Sequence, residues 1–127
     1  MKISVSIIIE NSKGELLFFL RDNKTTIAYP NQWCLLGGGV EDGESFEETI
    51  KREMAEEIEL DLKNFEIFKK YTWSERIETV FYTKLDLDIK STPLHEGQEL
   101  RFFTKEEILK TDLAFYDNEV MRDFFKR

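Results

Sequence analysis

With 127 residues, 41% apolar and 13% aromatic, the chain is long enough to bury a core as one domain spanning 1–127 and too hydrophobic to stay disordered. A net charge of −8 argues against a groove for long DNA or RNA, although one nucleotide could still be held through a metal. Cys34 has no partner for an internal disulfide, and no leader or membrane-length apolar run occurs, so a cytoplasmic protein with no membrane partner is expected.

From the N-terminus, Ile3, Val5, Ile7 and Ile9 alternate with Ser4, Ser6 and Ile8 and predict a strand. Asn11 to Gly14 is a turn, and Leu16 to Leu20 is the returning strand. A polar loop, Asn23 to Gln32, leads to a short strand at Trp33 to Leu36, where Cys34 reads as a small core residue. Gly37, Gly38 and Gly39 follow. Three glycines can form a tight turn, or can let the backbone approach a ligand closely; ahead of an acidic helix they read as a loop for metal and phosphate.

That helix begins with a capping box, Ser45 with Glu48, and buries Phe46, Ile50, Met54 and Ile58. At about 100° per residue, Glu53 and Glu57 fall at the edge of the apolar stripe, with Glu56 just beyond. The pairs Glu53–Glu56 and Glu53–Glu57 are each unfavourable by roughly 0.2–0.5 kcal/mol even when solvated. Partial burial raises that penalty, and a hard divalent cation reverses it. A solvated acidic face is the competing reading of the helix alone.

Beyond it, Phe65 to Trp73 and Thr79 to Ile89 predict a hairpin turning through Ser74, Glu75 and Arg76. Ser91 begins a loop that ends in His95, Glu96, Gly97 and Gln98, with His95 read as a surface residue. Leu100 to Phe103 is a last strand. Thr104 with Glu107 caps a short helix, and Asp117 is expected to cap a C-terminal helix running to Phe125. The pattern predicts an α/β protein, a mixed sheet with helices on its faces.

The spacing from Gly38 through Glu44, Arg52-Glu53, Met54, Glu56-Glu57 and Leu60 resembles the Nudix box, GX5EX7REUXEEXGU, where U is apolar. The match covers 23 residues and departs at Glu59, where the family has glycine; a differently shaped helix exit is therefore expected. Upstream, Trp33 to Gly38 resembles the W-x-L-P-G-G run that leads into the box, with Leu36 in place of proline.

The resemblance implies a Nudix α/β/α sandwich and Mg²⁺-dependent hydrolysis of a pyrophosphate bond, with Mn²⁺ as a substitute. It implies metal ligands at Glu53, Glu56, Glu57 and the Gly37 carbonyl, with Arg52 orienting a glutamate and Glu44 serving the loop–helix junction or the outer shell. Glu53 and a later loop glutamate compete as general base; Glu96 leads for the loop role and Glu99 is its rival. Gly38 and Gly39 would meet phosphate, and Arg21, Arg76 and Asn118 occupy places from which MutT-like enzymes touch nucleotide. The implied substrate is a nucleoside triphosphate, including an oxidised purine such as 8-oxo-dGTP. A nucleoside diphosphate sugar or dinucleoside polyphosphate hydrolase and a non-hydrolytic nucleotide sensor remain alternatives. A monomer and a homodimer both fit.

Overall fold

A computed structural model describes all residues, Met1–Arg127. Seven strands form one sheet: β1 (Lys2–Glu10), β2 (Leu16–Leu20), β3 (Trp33–Cys34), β4 (Leu36–Gly39), β5 (Glu66–Thr72), β6 (Arg76–Lys84) and β7 (Glu99–Phe103). Helix α1 (Phe46–Ile58) lies on one face and α3 (Asp117–Lys126) on the other, with a single turn of helix, α2 (Lys105–Leu109), after β7.

The two faces are two cores. Ile50, Met54 and Ile58 of α1 pack with Val5, Ile7, Ile9, Leu17 and Phe81. Val120, Met121 and Phe124 of α3 pack with Ile8, Phe18, Val80 and Phe103. Because both sides of β1 are covered, Ser4 and Ser6 are buried along with the apolar residues between and beyond them. The expected mixed sheet between helices is what forms.

The sheet divides around β1. On one side β1 runs parallel to β6 along its full length, from Lys2 opposite Arg76 to Glu10 opposite Lys84. On the other it meets β2 only at Glu10 and Leu16, and then pairs with β4 from Ser4 opposite Gly39 to Ile7 opposite Leu36. β2 pairs instead with β3 and β7. The chain thus crosses from β2 to β1 between Cys34 and Leu36, and a cleft opens at that division.

Several local expectations need correction. The glycines belong to strand β4 and not to a loop, because that strand pairs with β1 from Leu36 opposite Ile7 to Gly39 opposite Ser4. A Cβ at Gly37 would lie 2.1 Å from the Val5 carbonyl oxygen, so close strand approach is what requires glycine there. Arg76 opens β6 and is not in the hairpin turn, since parallel pairing with β1 extends the strand back to it. The same strand stops at Lys84, short of Ile89, where Asp88 caps a 3₁₀ turn by accepting from the Lys90 N–H.

At the other end of the chain, α3 is not capped by Asp117. Tyr116 holds the cap position without a side-chain bond, and the Asp117 carboxylate accepts from the Leu35 N–H at 2.8 Å. Nor does Glu59 reshape the exit of α1: it takes the left-handed conformation itself (φ 53°, ψ 39°), as glycine would.

Candidate active site

The entry of α1 is tied down before any acidic residue is placed. Ser45 and Glu48 make the reciprocal capping bonds, at 3.1 and 2.8 Å. Glu44, just outside, accepts from the Glu41 N–H and the Thr49 hydroxyl, both at 3.0 Å. Arg52 then uses all five of its N–H donors. Its Nε and one terminal nitrogen donate to Glu44 at 2.6 and 3.0 Å, and that same nitrogen reaches the Gly39 carbonyl at 3.1 Å. The other terminal nitrogen donates to Glu53 at 2.8 Å and Glu56 at 2.9 Å. One guanidinium therefore locks strand β4, the loop and the helix together. Its hydrogen bonds, with help from the Glu41 N–H, hold the Glu44 carboxyl down at about 2, and the same bonds keep Arg52 firmly protonated.

The three box glutamates have different environments. Glu56 is the outermost, with 56% of its side chain exposed, whereas Glu53 lines the cleft. Glu57 is buried, and neither carboxylate oxygen has any hydrogen-bond partner. Burial, and next the Glu53 carboxyl, push Glu57 up to about 10, with Glu96 and Glu56 adding to the shift.

An orphaned carboxylate of this kind is costly in any protein, and a hard cation is the partner that removes the cost. Carboxylate oxygens are the hard donors that Mg²⁺ or Mn²⁺ takes, and Gly37, on the same cleft as Glu53, would add a backbone carbonyl of the same kind. The carboxylates are not gathered into a ready-made cage, because Arg52 holds Glu53 and Glu56. Gly38 makes room for Glu53: a Cβ there would lie 2.3 Å from the Glu53 carboxyl carbon.

The cleft, about 350 Å³, is lined by Glu53 and Glu96, by Gly37, Gly38 and Gly39, and by Arg21 and Arg76. Glu99 is not on it; it opens β7 opposite Leu20, so of the two loop candidates only Glu96 reaches the cleft. Arg21 is anchored by its Nε to the Ala28 carbonyl, and Arg76 donates to Ser4 at 3.0 Å and Glu78 at 3.3 Å. Both guanidinium groups lie over the Phe115 ring, at 4.9 and 4.6 Å from its centroid. Asn118 stands apart from the cleft. Its amide accepts from the Leu113 N–H and donates to the Thr111 carbonyl, bracing the turn before α3. Cys34 is buried and its thiol is pushed up by that burial.

Three cleft residues have no site role predicted by the sequence: Glu78, Phe115 and Asp117, the last expected only as a helix cap. Glu78 accepts from the Ser4 and Ser6 hydroxyls, both at 2.9 Å. Two serines alternating within an apolar strand are a signal that polar company waits on that face, but only the parallel register of β1 and β6 says that it is Glu78. Asp117 is buried, and one of its oxygens is engaged by Leu35. Burial, then Glu78, push it up to about 8, partly offset by the Leu35 N–H. Phe115 is held at φ 55°, a backbone state that bulky residues seldom adopt and that no sequence pattern announces.

Comparison with known proteins bears on the family and the fold. The family model described as the NUDIX domain matches residues 1–124. Over 75 residues, 59% of this chain, it is 40% identical to the nucleoside triphosphatase NudI of Escherichia coli, and it spans about half the length (51%) of that relative. The crystal structure of a MutT protein from Methanosarcina mazei superposes with a TM-score of 0.84 at 28% identity, covering 98% of this chain and 93% of that one. The NUDIX domain of Shewanella oneidensis NrtR, crystallised with ADP ribose, shares the fold at a TM-score of 0.81 and 14% identity, covering 100% and 88%. With the model spanning nearly the whole sequence and a fold shared with MutT-like proteins, the chain belongs to the Nudix family.

Proposed function

We propose that this chain is a Mg²⁺-dependent nucleoside triphosphate pyrophosphohydrolase, releasing a nucleoside monophosphate and pyrophosphate. The observation that carries the metal part is the buried Glu57 carboxylate with both oxygens unpartnered, beside a cleft that Glu53 and Glu96 line. The nucleoside triphosphatase NudI supports the substrate class.

In the reaction, the oxygen of water attacks one phosphorus, the P–O bond to the departing pyrophosphate breaks, and a proton of the water passes to a carboxylate. Glu53 and Glu96 both face the cleft and are the residues placed to take that proton. A divalent cation held by Glu53, Glu56, Glu57 and the Gly37 carbonyl would neutralise charge on the phosphate oxygens and acidify the water. Arg52 keeps Glu53 in one orientation, and the backbone of Gly38 and Gly39 leaves space for the phosphate chain. Arg21 and Arg76 supply positive charge in the same cleft, over the Phe115 ring, where a nucleotide would meet them. Asn118, whose amide is committed to Leu113 and Thr111, lends no support to a purine-reading role.

The test is a panel of nucleoside triphosphates (8-oxo-dGTP among them), nucleoside diphosphate sugars and dinucleoside polyphosphates, incubated with Mg²⁺ and resolved by product. Monophosphate plus pyrophosphate from a triphosphate is the expected result. Turnover of a sugar or dinucleoside substrate alone would redirect the assignment, and binding without turnover across the whole panel would make the domain a sensor.

A further inference from the structure

The residue at which the chain departs from the Nudix box has a contact of its own. Glu59 adopts a left-handed conformation that glycine takes freely and a residue with a Cβ takes at some cost, so its side chain ought to give something back. It reaches the only histidine of the chain: Glu59 Oε2 lies 2.5 Å from His95 Nε2. Beside that contact the His95 N–H donates to the Glu57 carbonyl at 2.8 Å, at the end of α1.

These two contacts hold one side of the segment that carries Glu96. The other side is fixed on β2. The Gln98 N–H donates to the Leu20 carbonyl at 2.8 Å, and its side chain donates to the Arg21 carbonyl at 2.7 Å. Gly97 packs so closely that a Cβ would stand 2.6 Å from the Phe19 ring. Glu96 is therefore suspended between two anchors, one on β2 and one on the exit of α1, and faces the cleft between them.

We propose that Glu59 is a positioning residue which, through His95, sets where the Glu96 carboxylate stands relative to Glu53 and Glu57. This inference rests on the hydrolase reading above. In a chain carrying the family's glycine at this position, that anchor would reduce to the one backbone bond from His95. The contact is solvent-exposed, with 60% of the Glu59 side chain and 55% of the His95 side chain accessible, so its leverage is modest.

The decisive variant is Glu59→Gly in the full chain. Glycine suits the left-handed backbone, so the melting temperature should hold or rise, while kcat should fall roughly two- to fivefold at unchanged KM. Mn²⁺ affinity, titrated without substrate, should weaken by a similar factor, and amide exchange at 95–96 should quicken. Glu59→Gln keeps an acceptor for His95 and should recover most of each effect. His95→Ala should reproduce the Glu59→Gly losses, and the double variant should be no worse than either. Wild-type kcat, Mn²⁺ affinity and amide exchange in Glu59→Gly would overturn the proposal. If the wild-type chain hydrolyses no member of the substrate panel, the hydrolase reading fails by itself, and the metal and exchange measurements still judge the Glu59–His95 contact.

Discussion

Two neighbouring glycines should fail in opposite ways when each gains a single methyl group. In Gly37→Ala the new Cβ would stand 2.1 Å from the Val5 carbonyl oxygen and 2.7 Å from the Ser6 Cα, both backbone atoms of β1 in the middle of the sheet. Neither can retreat without opening the β1–β4 pairing that runs from Ser4 to Ile7. In Gly38→Ala the obstruction is the tip of a side chain, the Glu53 carboxyl group at 2.3 to 2.5 Å. Ordinary contact begins near 3.4 Å, so the carboxyl must withdraw by about 1 Å, which a glutamate does by rotation. Overpacking against backbone costs typically about 1–3 kcal/mol and occasionally more, whereas displacing a catalytic group by ~1 Å can cost on the order of 10²-fold in rate. Thermal melts and steady-state hydrolysis of whichever panel substrate the wild-type chain turns over, run on both variants, separate the two effects. Gly37→Ala should lose several degrees of melting temperature, and Gly38→Ala should melt near wild type with kcat reduced ten- to a hundredfold, about the range expected for a displacement of that size. Wild-type turnover in Gly38→Ala would refute the placement of Glu53 in the reaction.

Three further outcomes are expected. Millimolar Mg²⁺ should raise the melting temperature by several degrees, since a ligand at about 100 times its Kd contributes about 2.7 kcal/mol, and Glu57→Gln should abolish that rise when followed by differential scanning fluorimetry. Arg52→Lys keeps the charge but cannot serve Glu44, Glu53, Glu56 and Gly39 together, so metal affinity or kcat should fall about ten- to a hundredfold, as for other groups that orient metal ligands. Asp117 is raised from an ordinary 3.8 to about 8, so the folded state holds a proton that the unfolded chain releases; its contribution is full below pH 4 and is lost as pH rises toward 8. Chemical denaturation across that window should show a decline in wild type that Asp117→Asn makes shallower, the remainder coming from Glu57, and an identical slope in both would show that Asp117 is ionised throughout.

Much of the acidic helix was legible because its information is local. The Ser45 capping box, the apolar repeat from Phe46 to Ile58 and the relative burial of Glu57 and Glu56 all follow from 3.6-residue periodicity along one segment. Strands were legible for the same reason, though their ends were not: β6 begins at Arg76 because β1 is there to pair with it, and Thr79 merely looked like a better start. Glu59 shows the reverse error. Its identity suggested a new helix exit, yet the backbone bonds closing α1, from the Glu59 and Leu60 N–H groups to the Met54 carbonyl, impose the left-handed turn whatever side chain is present.

What the sequence determined unaided was the helix, its carboxylates and the glycines spaced ahead of them, since neighbours along one chain set those distances. What the tertiary structure alone decided was the rest of the cleft. Glu78 meets Ser4 and Ser6 across a parallel pairing more than 70 residues apart, and Asp117 reaches Leu35 from 82 residues away. Glu96 acquires its place from anchors on β2 and on the end of α1. Such contacts depend on which strands become neighbours, and that is settled by burying both faces of β1 at once, an energy shared among residues that no local pattern links.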